Sequence, residues 1–418
     1  MPVPVFWMAM PSPSIKPRTG PGRRALLIAA LVLSTALLPV AAGCGSDSEP
    51  AGISEQGPAE TSTESDPAPE TATTVDSDGQ VFNPSEIYSD TVDGVISVSS
   101  IFGSEAAGPF DPRAAGGSGF VLNDRGEIVT NAHVITNGEG ENRTAADRVF
   151  VEFKDGNIVS AEIVGFDPFS DVGLLKVDPG EVDLKPVELF DSDKVVVGQP
   201  VAVIGSPFGE DQSLSTGVVS QTGRSVRSLT DFQIEGAIQT DASINPGNSG
   251  GPMLDADGRV IGISQQIQSG SGASDGVGFG VPVNTIKSSV DQLRESGEAR
   301  YAYIGVSTQP LYPQLAERLG LDAERGAIIA EVVEDGPAEQ AGIRGGDEEI
   351  TFQGGRYTTG GDIVVSVDGE PVERSEDLGR IIGSLRPGDT VTLEVVREGG
   401  RREIEIELQD RPTALSTG

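Results

Sequence analysis

Three side chains in this sequence make up a set suited to nucleophilic acyl chemistry: the imidazole of His133, the carboxylate of Asp171 and the hydroxyl of Ser249. A serine hydroxyl is a poor nucleophile until an adjacent base takes its proton. Neutral imidazole, with a reference pKa near ~6.5, suits that task at neutral pH. A carboxylate on the far ring nitrogen fixes the tautomer and supports the imidazolium that forms. His133 is the single histidine of the chain, so a general-base imidazole has no other source. Ser249 stands in Gly247-Asn248-Ser249-Gly250-Gly251-Pro252. Glycines there let the main chain approach a substrate closely and adopt positive φ. Amides freed by such a turn can stabilise a developing oxyanion. Each signal also has a plainer reading: a glycine-rich loop, a packed or surface histidine, and an aspartate in the turn before a strand.

Rigid elements must hold these residues, and the chain supplies mostly short β-prone runs separated by turn signals. In the first half they are 95–101, 117–122, 127–130, 148–153 and 160–165. Further along come 200–205, 215–220, 234–240, 259–264 and 276–282. His133 follows the third run, and Asp171 opens another apolar strand. About ten strands with almost no helical periodicity before Val283–Ser296 imply closed barrels or a sandwich. Val283–Ser296 reads as a helix that closes this unit, which spans 81–298. The pattern then changes to a smaller α+β unit, 299–412, of ordinary domain size at roughly 110 residues. It holds strands at Tyr303–Val306 and 326–333, a short helix at Tyr312–Leu319 and a helical turn at 336–343. A strand at 362–369, a helix at Ser375–Leu385 and final strands at 390–397 and 402–408 follow.

Composition narrows the field. The chain has 418 residues, 64 acidic against 29 basic side chains, and a net charge of −35. Nucleic-acid binding needs a basic face, so that class of partner is excluded. One cysteine rules out a disulfide within the chain, and one cysteine with one histidine rules out Cys/His zinc sites. No cofactor and no metal site is expected. Residues 1–44 read as a targeting segment: Lys16, Arg18, Arg23 and Arg24 precede an apolar run from Ala25 to Val40. Ala41-Ala42-Gly43-Cys44 then resembles a lipobox, with Cys44 the residue to be lipidated. An uncleaved membrane anchor and ordinary cleavage nearby are the alternatives; all three place the remainder outside the cytoplasm. Residues 45–80 are acidic, rich in Ser, Thr, Pro and Ala, and too poor in apolar side chains to offset chain entropy. They read as a disordered tether.

Thr130-Asn-Ala-His-Val134, Asp171-Val-Gly-Leu-Leu175 and Gly247-Asn-Ser-Gly-Gly-Pro252 together resemble the bacterial high-temperature-requirement (Deg-type) serine proteases. Ala202-Val-Ile-Gly-Ser-Pro-Phe-Gly209 and Gln239-Thr-Asp-Ala-Ser-Ile244 strengthen the match, and the C-terminal unit resembles their PDZ domain. The resemblance covers about residues 86–410. It implies a mainly β fold: a chymotrypsin-like double β-barrel, with His, Asp and Ser in that chain order, followed by an α+β PDZ domain. It implies His133 as general base, Asp171 as its orienting partner and Ser249 as nucleophile. The backbone of Gly247, Asn248 and Ser249 would form the oxyanion loop, with the amides of Gly247 and Ser249 as donors. Ser243, six residues before Ser249, would floor the primary specificity pocket. Gly262, Ile263 and Ser264 and the loop from Gln265 to Asp275 would supply its wall. With no acid at the floor, cleavage after small or medium aliphatic residues is expected.

Family PDZ domains bind extended C-termini by adding a strand to an open sheet edge. Here Tyr303, Ile304, Gly305 and Val306 match the carboxylate-binding loop. Leu378, Ile381 and Ile382 on the second helix are candidates for groove or core. One departure stands out: residues 348–360 follow the first Gly-Gly-Asp as an insert, read as a hairpin around Gln353-Gly-Gly355 that adds surface beside the groove. The resemblance implies an ATP-independent endopeptidase of the cell envelope, active on misfolded or exported proteins, with a PDZ domain that takes peptide C-termini. A trimer is expected from the family. A non-catalytic chaperone or PDZ adaptor is the alternative. An α/β-hydrolase esterase matches Gly-x-Ser-x-Gly literally, but that elbow needs a helix after the serine and a histidine after it in the chain.

Overall fold

The computed structural model describes residues 81–103, 114–206, 212–265 and 276–414. The targeting segment, Cys44, the tether 45–80 and most of the 265–275 loop lie outside the described residues. Helix α1 (Pro84–Thr91) opens the described chain, with the Asn83 side chain accepting the Glu86 N–H and proline in the first turn. The sequence reading anticipated no helix there, and only Ile87 of α1 is buried, so no apolar stripe marks it.

The first barrel comprises β1 (Val95–Ile101), β2 (Ala115–Val121), β3 (Glu127–Thr130), β4 (Arg148–Glu152), β5 (Ile158–Asp167) and β6 (Val172–Lys176). Between β3 and β4 lies the one-turn helix α2 (Ala132–Ile135), which carries His133. The strands close in the order β1-β2-β3-β6-β5-β4. The second barrel comprises β7 (Pro200–Gly205), β8 (Ser213–Arg227), β9 (Gln233–Thr240), β10 (Pro252–Leu254), β11 (Val260–Gln265) and β12 (Gly278–Pro282). It closes as β8-β9-β12-β11-β10-β7. Closure removes exposed strand edges and settles the choice between barrels and a sandwich. Strand β10 has only three residues, too short for alternation to reveal it.

Helix α3 (Val283–Ser296) buries Val283, Ile286, Val290 and Leu293, a 3-4-3 spacing that lines one face, and ends at Gly297 with φ +76°. That face joins Phe120, Val129 and Leu174 of the first barrel and Ile204, Ile263 and Val281 of the second in one core. Emptying such a site, as in Leu293→Ala, costs about 2–5 kcal/mol. The shared core fixes the two barrels against each other, and therefore fixes loops that reach out from each.

The C-terminal unit contains β13 (Val306–Leu311), α4 (Pro313–Leu319), β14 (Gly326–Val332), β15 (Glu348–Phe352), β16 (Gly355–Thr359), β17 (Ile363–Val367), α5 (Ser375–Gly383), β18 (Thr390–Arg397) and β19 (Gly400–Glu407). Its sheet runs β13-β14-β17-β18-β19, which leaves β13 on an edge. The expected strand at Tyr303–Val306 is not continuous. Ala302 and Tyr303 pair with Asp410 and Gln409, Gly305 turns the chain at φ +75°, and β13 begins at Val306. The insert does form a hairpin, β15 with β16, turning on Gln353 and Gly354 at φ 48° and 84°. Its apolar side chains Ile350, Phe352 and Tyr357 join Tyr312, Leu319 and Leu321 in a satellite cluster around α4.

Arg411 joins this unit to the barrels. Its guanidinium lies over the rings of Phe169, Phe232 and Tyr301 at 5.8, 5.1 and 5.4 Å from their centroids.

Candidate active site

Asp171 sits just before β6 in a left-handed conformation, φ 56°, unusual for a side chain other than glycine. The turn that forces it there is built by Asp167. The Asp167 carboxylate accepts the Phe169 N–H at 2.9 Å, the Ser170 N–H at 3.2 Å, the Ser170 hydroxyl, and the Tyr301 hydroxyl at 2.6 Å. Burial, then the Asp167 charge, push the Tyr301 phenol well above its ordinary pKa, so it stays a donor. The Asp171 carbonyl is held from the other side by the Asn131 amide at 2.8 Å and the Ala132 N–H at 3.2 Å. Asp167, Asn131 and Tyr301 escaped the sequence reading; each is a common turn or packing residue when seen without its partners.

So placed, the fully buried Asp171 accepts the His133 backbone N–H on Oδ1 at 2.9 Å and meets His133 Nδ1 through Oδ2 at 2.8 Å. A proton on Nδ1 leaves Nε2 as the free basic nitrogen. Burial lowers the imidazole pKa, but the Asp171 charge and hydrogen bond outweigh it and the net shift is upward. The Gln265 side-chain amide donates to Asp171 Oδ2 at 3.1 Å and to the Arg227 carbonyl at 3.4 Å. Sequence reasoning placed Gln265 only in a pocket loop and missed this contact.

The loop carrying Ser249 is packed directly on the His133 turn. The Ser249 carbonyl accepts the Ser118 N–H at 2.8 Å. A Cβ on Gly250 would lie 3.1 Å from the Asn131 N, and one on Gly117 would strike Val134, the residue after His133. Ser249 Oγ is buried and has no hydrogen-bond partner among the described residues. The bond from serine to imidazole is therefore not closed here; such contacts often tighten only with substrate in place. Of the three expected oxyanion-loop residues, Asn248 has its N–H committed to the Asn245 carbonyl at 3.0 Å. No group among the described residues accepts the N–H of Gly247, at φ 100°, or of Ser249.

The pocket wall needs correction. Ser243 is exposed. Ile263 instead belongs to the shared barrel core. The Ser264 hydroxyl donates to the Asn248 and Gly251 carbonyls, at 2.5 and 3.2 Å. Gly262 packs its Cα face against the Val281 carbonyl. All six residues of β11 are buried, and the side chains of Ile263 and Ser264 are engaged in the core and in loop hydrogen bonds rather than in a substrate wall.

In the C-terminal unit a cavity of about 370 Å³ lies between Tyr303–Val306 and α5. Leu378 and Ile382 line it, whereas Ile381 is absent from its lining and packs into the domain core. No residue of the 348–360 insert lines it, and the insert meets the groove unit instead at β13, where the Thr358 N–H donates to the Gln309 side chain at 2.8 Å. Phe232, Gln233 and Glu235, from the β8–β9 hairpin of the second barrel, form an unforeseen side of the cavity.

Paired six-stranded barrels with this cleft, followed by a sheet with an open edge and groove helix, define a trypsin-like peptidase domain joined to a PDZ domain. Family profiles agree: one described as trypsin-like peptidase domain matches residues 117–263, and one described as PDZ domain matches 302–408. The chain superimposes on an HtrA-type protease, AlgW, solved with a tripeptide, with TM-score 0.65 and 31% identity over 79% of this chain and 98% of that one. The same protease with a decapeptide gives TM-score 0.62 and 30% identity, covering 79% of this chain and 99% of that one. The chain belongs to the HtrA-type protease family. It is 39% identical over 317 residues to a probable periplasmic serine endoprotease, DegP-like, of Pseudomonas fulva (strain 12-X), covering 73% of this chain and 60% of the relative. It is 41% identical over 297 residues to Protease Do-like 1, chloroplastic, of Arabidopsis thaliana, covering 71% and 64%. The chain thus spans about 60% of the length of such curated relatives. Among the described residues no helix is long and apolar enough to cross a membrane.

Proposed function

We propose that this chain is an ATP-independent serine endopeptidase that acts outside the cytoplasm on unfolded or exported proteins. The observation that carries the reading is the imidazole held twice by Asp171 beside a serine loop whose Gly247 and Ser249 amides have no internal acceptor. Ser249 Oγ attacks the scissile carbonyl carbon while its proton passes to His133 Nε2. Asp171 holds the ring and balances the imidazolium charge. The oxyanion forms on the Gly247 and Ser249 N–H groups. Collapse expels the amine, which takes the proton from His133, and leaves an acyl-enzyme; water then repeats the sequence and frees Ser249.

Substrate preference for small or medium aliphatic residues rests on Ser243, which brings no negative charge to the pocket floor. A peptide-library profile dominated by Arg or Lys overturns it. The C-terminal groove takes extended peptide C-termini against the open edge of β13, with the turn at Tyr303–Val306 receiving the carboxylate and Leu378 and Ile382 the apolar side chain. Such a peptide touches Phe232, on the same hairpin as Arg227, whose carbonyl shares the Gln265 amide with Asp171; this supports regulation as well as recruitment. Lipidation at Cys44 tethers the chain to the membrane surface, and its test is radiolabelled palmitate incorporation lost in Cys44→Ala. The enzyme assembles as a trimer, to be checked by light scattering.

A fluorophosphonate probe and a casein-cleavage assay test the whole reading. Wild-type chain should be labelled and cleave casein, and Ser249→Ala should do neither. An unlabelled wild-type chain that nonetheless binds unfolded casein leaves the chaperone or adaptor reading in its place.

A further inference from the structure

The loop around Ser249 is held in shape by two hydroxyls, one from each barrel. Ser118, on β2, donates its Oγ–H to the Gly247 carbonyl at 2.7 Å and its backbone N–H to the Ser249 carbonyl at 2.8 Å. The same Ser118 Oγ accepts the Ser206 N–H at 2.8 Å, so its donor and one lone pair are both committed. Ser264, on β11, donates its Oγ–H to the carbonyl of Asn248. Both serines are fully buried.

Planarity of the trans peptide gives these contacts a consequence, because the N–H and C=O of one peptide unit point in opposite directions. The unit from Asn248 to Ser249 has its carbonyl fixed by Ser264, with the Gly251 N–H also on it at 2.9 Å; the Ser249 N–H must therefore point the other way, away from Ser264 and Gly251. The unit from Ser249 to Gly250 is fixed at both ends, by Ser118 on its carbonyl and by the Ser264 carbonyl on the Gly250 N–H at 3.0 Å. The unit from Gly247 to Asn248 is fixed by the Ser118 hydroxyl and by the Asn245 carbonyl. With three consecutive units pinned, the Ser249 N–H is the amide left without an acceptor. Gly247, at φ 100°, supplies the left-handed joint at the start of these pinned units.

We propose that Ser118 and Ser264 are positioning residues for the oxyanion hole: the Ser264 hydroxyl sets the peptide plane that carries the Ser249 N–H, and the Ser118 hydroxyl pins the neighbouring Gly247–Asn248 plane, so that the Ser249 amide stays aimed at the tetrahedral intermediate. This rests on the protease reading above. Neither serine touches the reacting atoms, so the effect is on transition-state stabilisation rather than on substrate binding. Losing an oxyanion donor outright costs about 10²–10³-fold in turnover, and losing its support should cost about 10–100-fold.

The test uses full-length chain with Ser118→Ala, Ser264→Ala and Ser118→Thr, a fluorogenic peptide taken from a casein cleavage site, and a peptidyl boronate ending in boro-valine. The boronate forms a tetrahedral adduct on Ser249 and so reports the oxyanion hole directly. The alanine variants should lose about 10–100-fold in kcat with KM within about 3-fold. Boronate affinity should fall in proportion, peptide binding in a Ser249→Ala background should hold, and Ser118→Thr should recover most of the loss. Unchanged kcat and boronate affinity in both alanine variants overturns the proposal. So does equal loss in the threonine and alanine variants with a matching drop in thermal midpoint, since that is what plain core packing does. Should Ser118→Ala fail to fold, Ser264→Ala carries the same readouts from the other barrel. A wild-type chain inert to both peptide and boronate removes the protease reading and this one with it, a result distinct from an active wild type with unaffected variants.

Discussion

Asp171 grips His133 at two points, its Oδ1 on the backbone N–H at 2.9 Å and its Oδ2 on ring Nδ1 at 2.8 Å. The first contact fixes where the residue starts and the second fixes which way its ring faces and which nitrogen carries the proton. Asp171→Asn keeps the shape but sets an amide against Nδ1, which favours the opposite tautomer. Turnover should fall by about 10⁴-fold at neutral pH. The pH profile should move too. Only neutral imidazole accepts the serine proton, so activity rises as pH passes the His133 pKa. Burial pulls that pKa down but Asp171 raises it further, so the wild-type acid limb should lie above the ordinary imidazole value of ~6.5. Without the carboxylate charge, the limb should shift to lower pH. A limb unmoved in Asp171→Asn would mean that another group titrates.

Gln265 gives Asp171 its remaining side-chain partner, at 3.1 Å. In Gln265→Leu the carboxylate loses a donor inside a buried site, and a hydrogen bond to a charged group contributes about 1.5–3 kcal/mol. Thermal stability should fall by an amount of that order, and kcat by about 3–10-fold with KM nearly constant, if the ring loses orientation in step. Chemical denaturation and steady-state kinetics on one preparation read both. A stability loss without any change in kcat would confine Gln265 to packing.

The sequence carries the chemistry of this site more openly than its supports. His133, Asp171 and Ser249 stand out because the chain has one imidazole and the serine is ringed by glycines. The barrels are readable from β-prone runs and turn residues, and α3 from its apolar spacing. What escapes is whatever depends on a distant partner. Asp167 is an ordinary turn residue until Tyr301, 134 positions on, donates to it. Ser118 looks like a small residue in a strand until the loop carrying Ser249 folds across it. Ile263 misleads for the opposite reason: its position matches a pocket wall, while its side chain points into the core shared by the two barrels. The insert 348–360 announced a hairpin through its glycines, but which cluster its aromatic residues would join was decided by Tyr312 on another element.

The Glu127–Arg294 pair ties the first barrel to α3, with Arg294 Nη2 2.6 Å from Glu127 Oε2. Burial alone would raise the Glu127 pKa, but hydrogen bonds from Arg294 and Asn123 and the charges of Arg294 and Arg125 lower it to about 2. A carboxylate whose folded-state pKa is depressed stabilises the fold above its unfolded value, ~4.3, and loses that contribution as pH falls toward the folded value. Arg294→Met should therefore be less stable than wild type at pH 7, with the gap narrowing through the window from about pH 4.3 down to 2. Denaturant titrations across that range check it; a gap that stays constant would assign the difference to lost packing instead.

Gly250 follows Ser249 at φ +87°, and a Cβ there would sit 2.1 Å from the Ser118 carbonyl and 2.6 Å from Thr130 Oγ1. Gly250→Ala incurs about 1–3 kcal/mol for the left-handed backbone alone, before the clash is counted. Because the clash falls on the residue that holds the Ser249 carbonyl, fluorophosphonate labelling should be lost along with stability. Normal labelling in a chain of unchanged thermal midpoint would show that the loop has another arrangement open to it.

The 348–360 insert offers a test of how far the C-terminal groove depends on its surroundings. Phe352 and Tyr357 lie 6.5 and 6.2 Å from the Tyr312 ring, centroid to centroid, and the Thr358 N–H reaches the Gln309 side chain on β13 at 2.8 Å. These contacts brace α4 and β13, while the cavity beside α5 draws no residue from the hairpin. Replacing Glu348–Gly360 with a short turn should therefore leave the affinity of a four-residue C-terminal peptide unchanged within about 2-fold. It should lower the stability of the C-terminal unit by a few kcal/mol, since aromatic pairs add about 0.5–1.5 kcal/mol each beyond the area they bury. Fluorescence anisotropy with the peptide separates the two effects from a melting curve. Loss of peptide affinity at a temperature where the truncated unit remains folded would return the hairpin to the groove, through β13 rather than through the cavity wall.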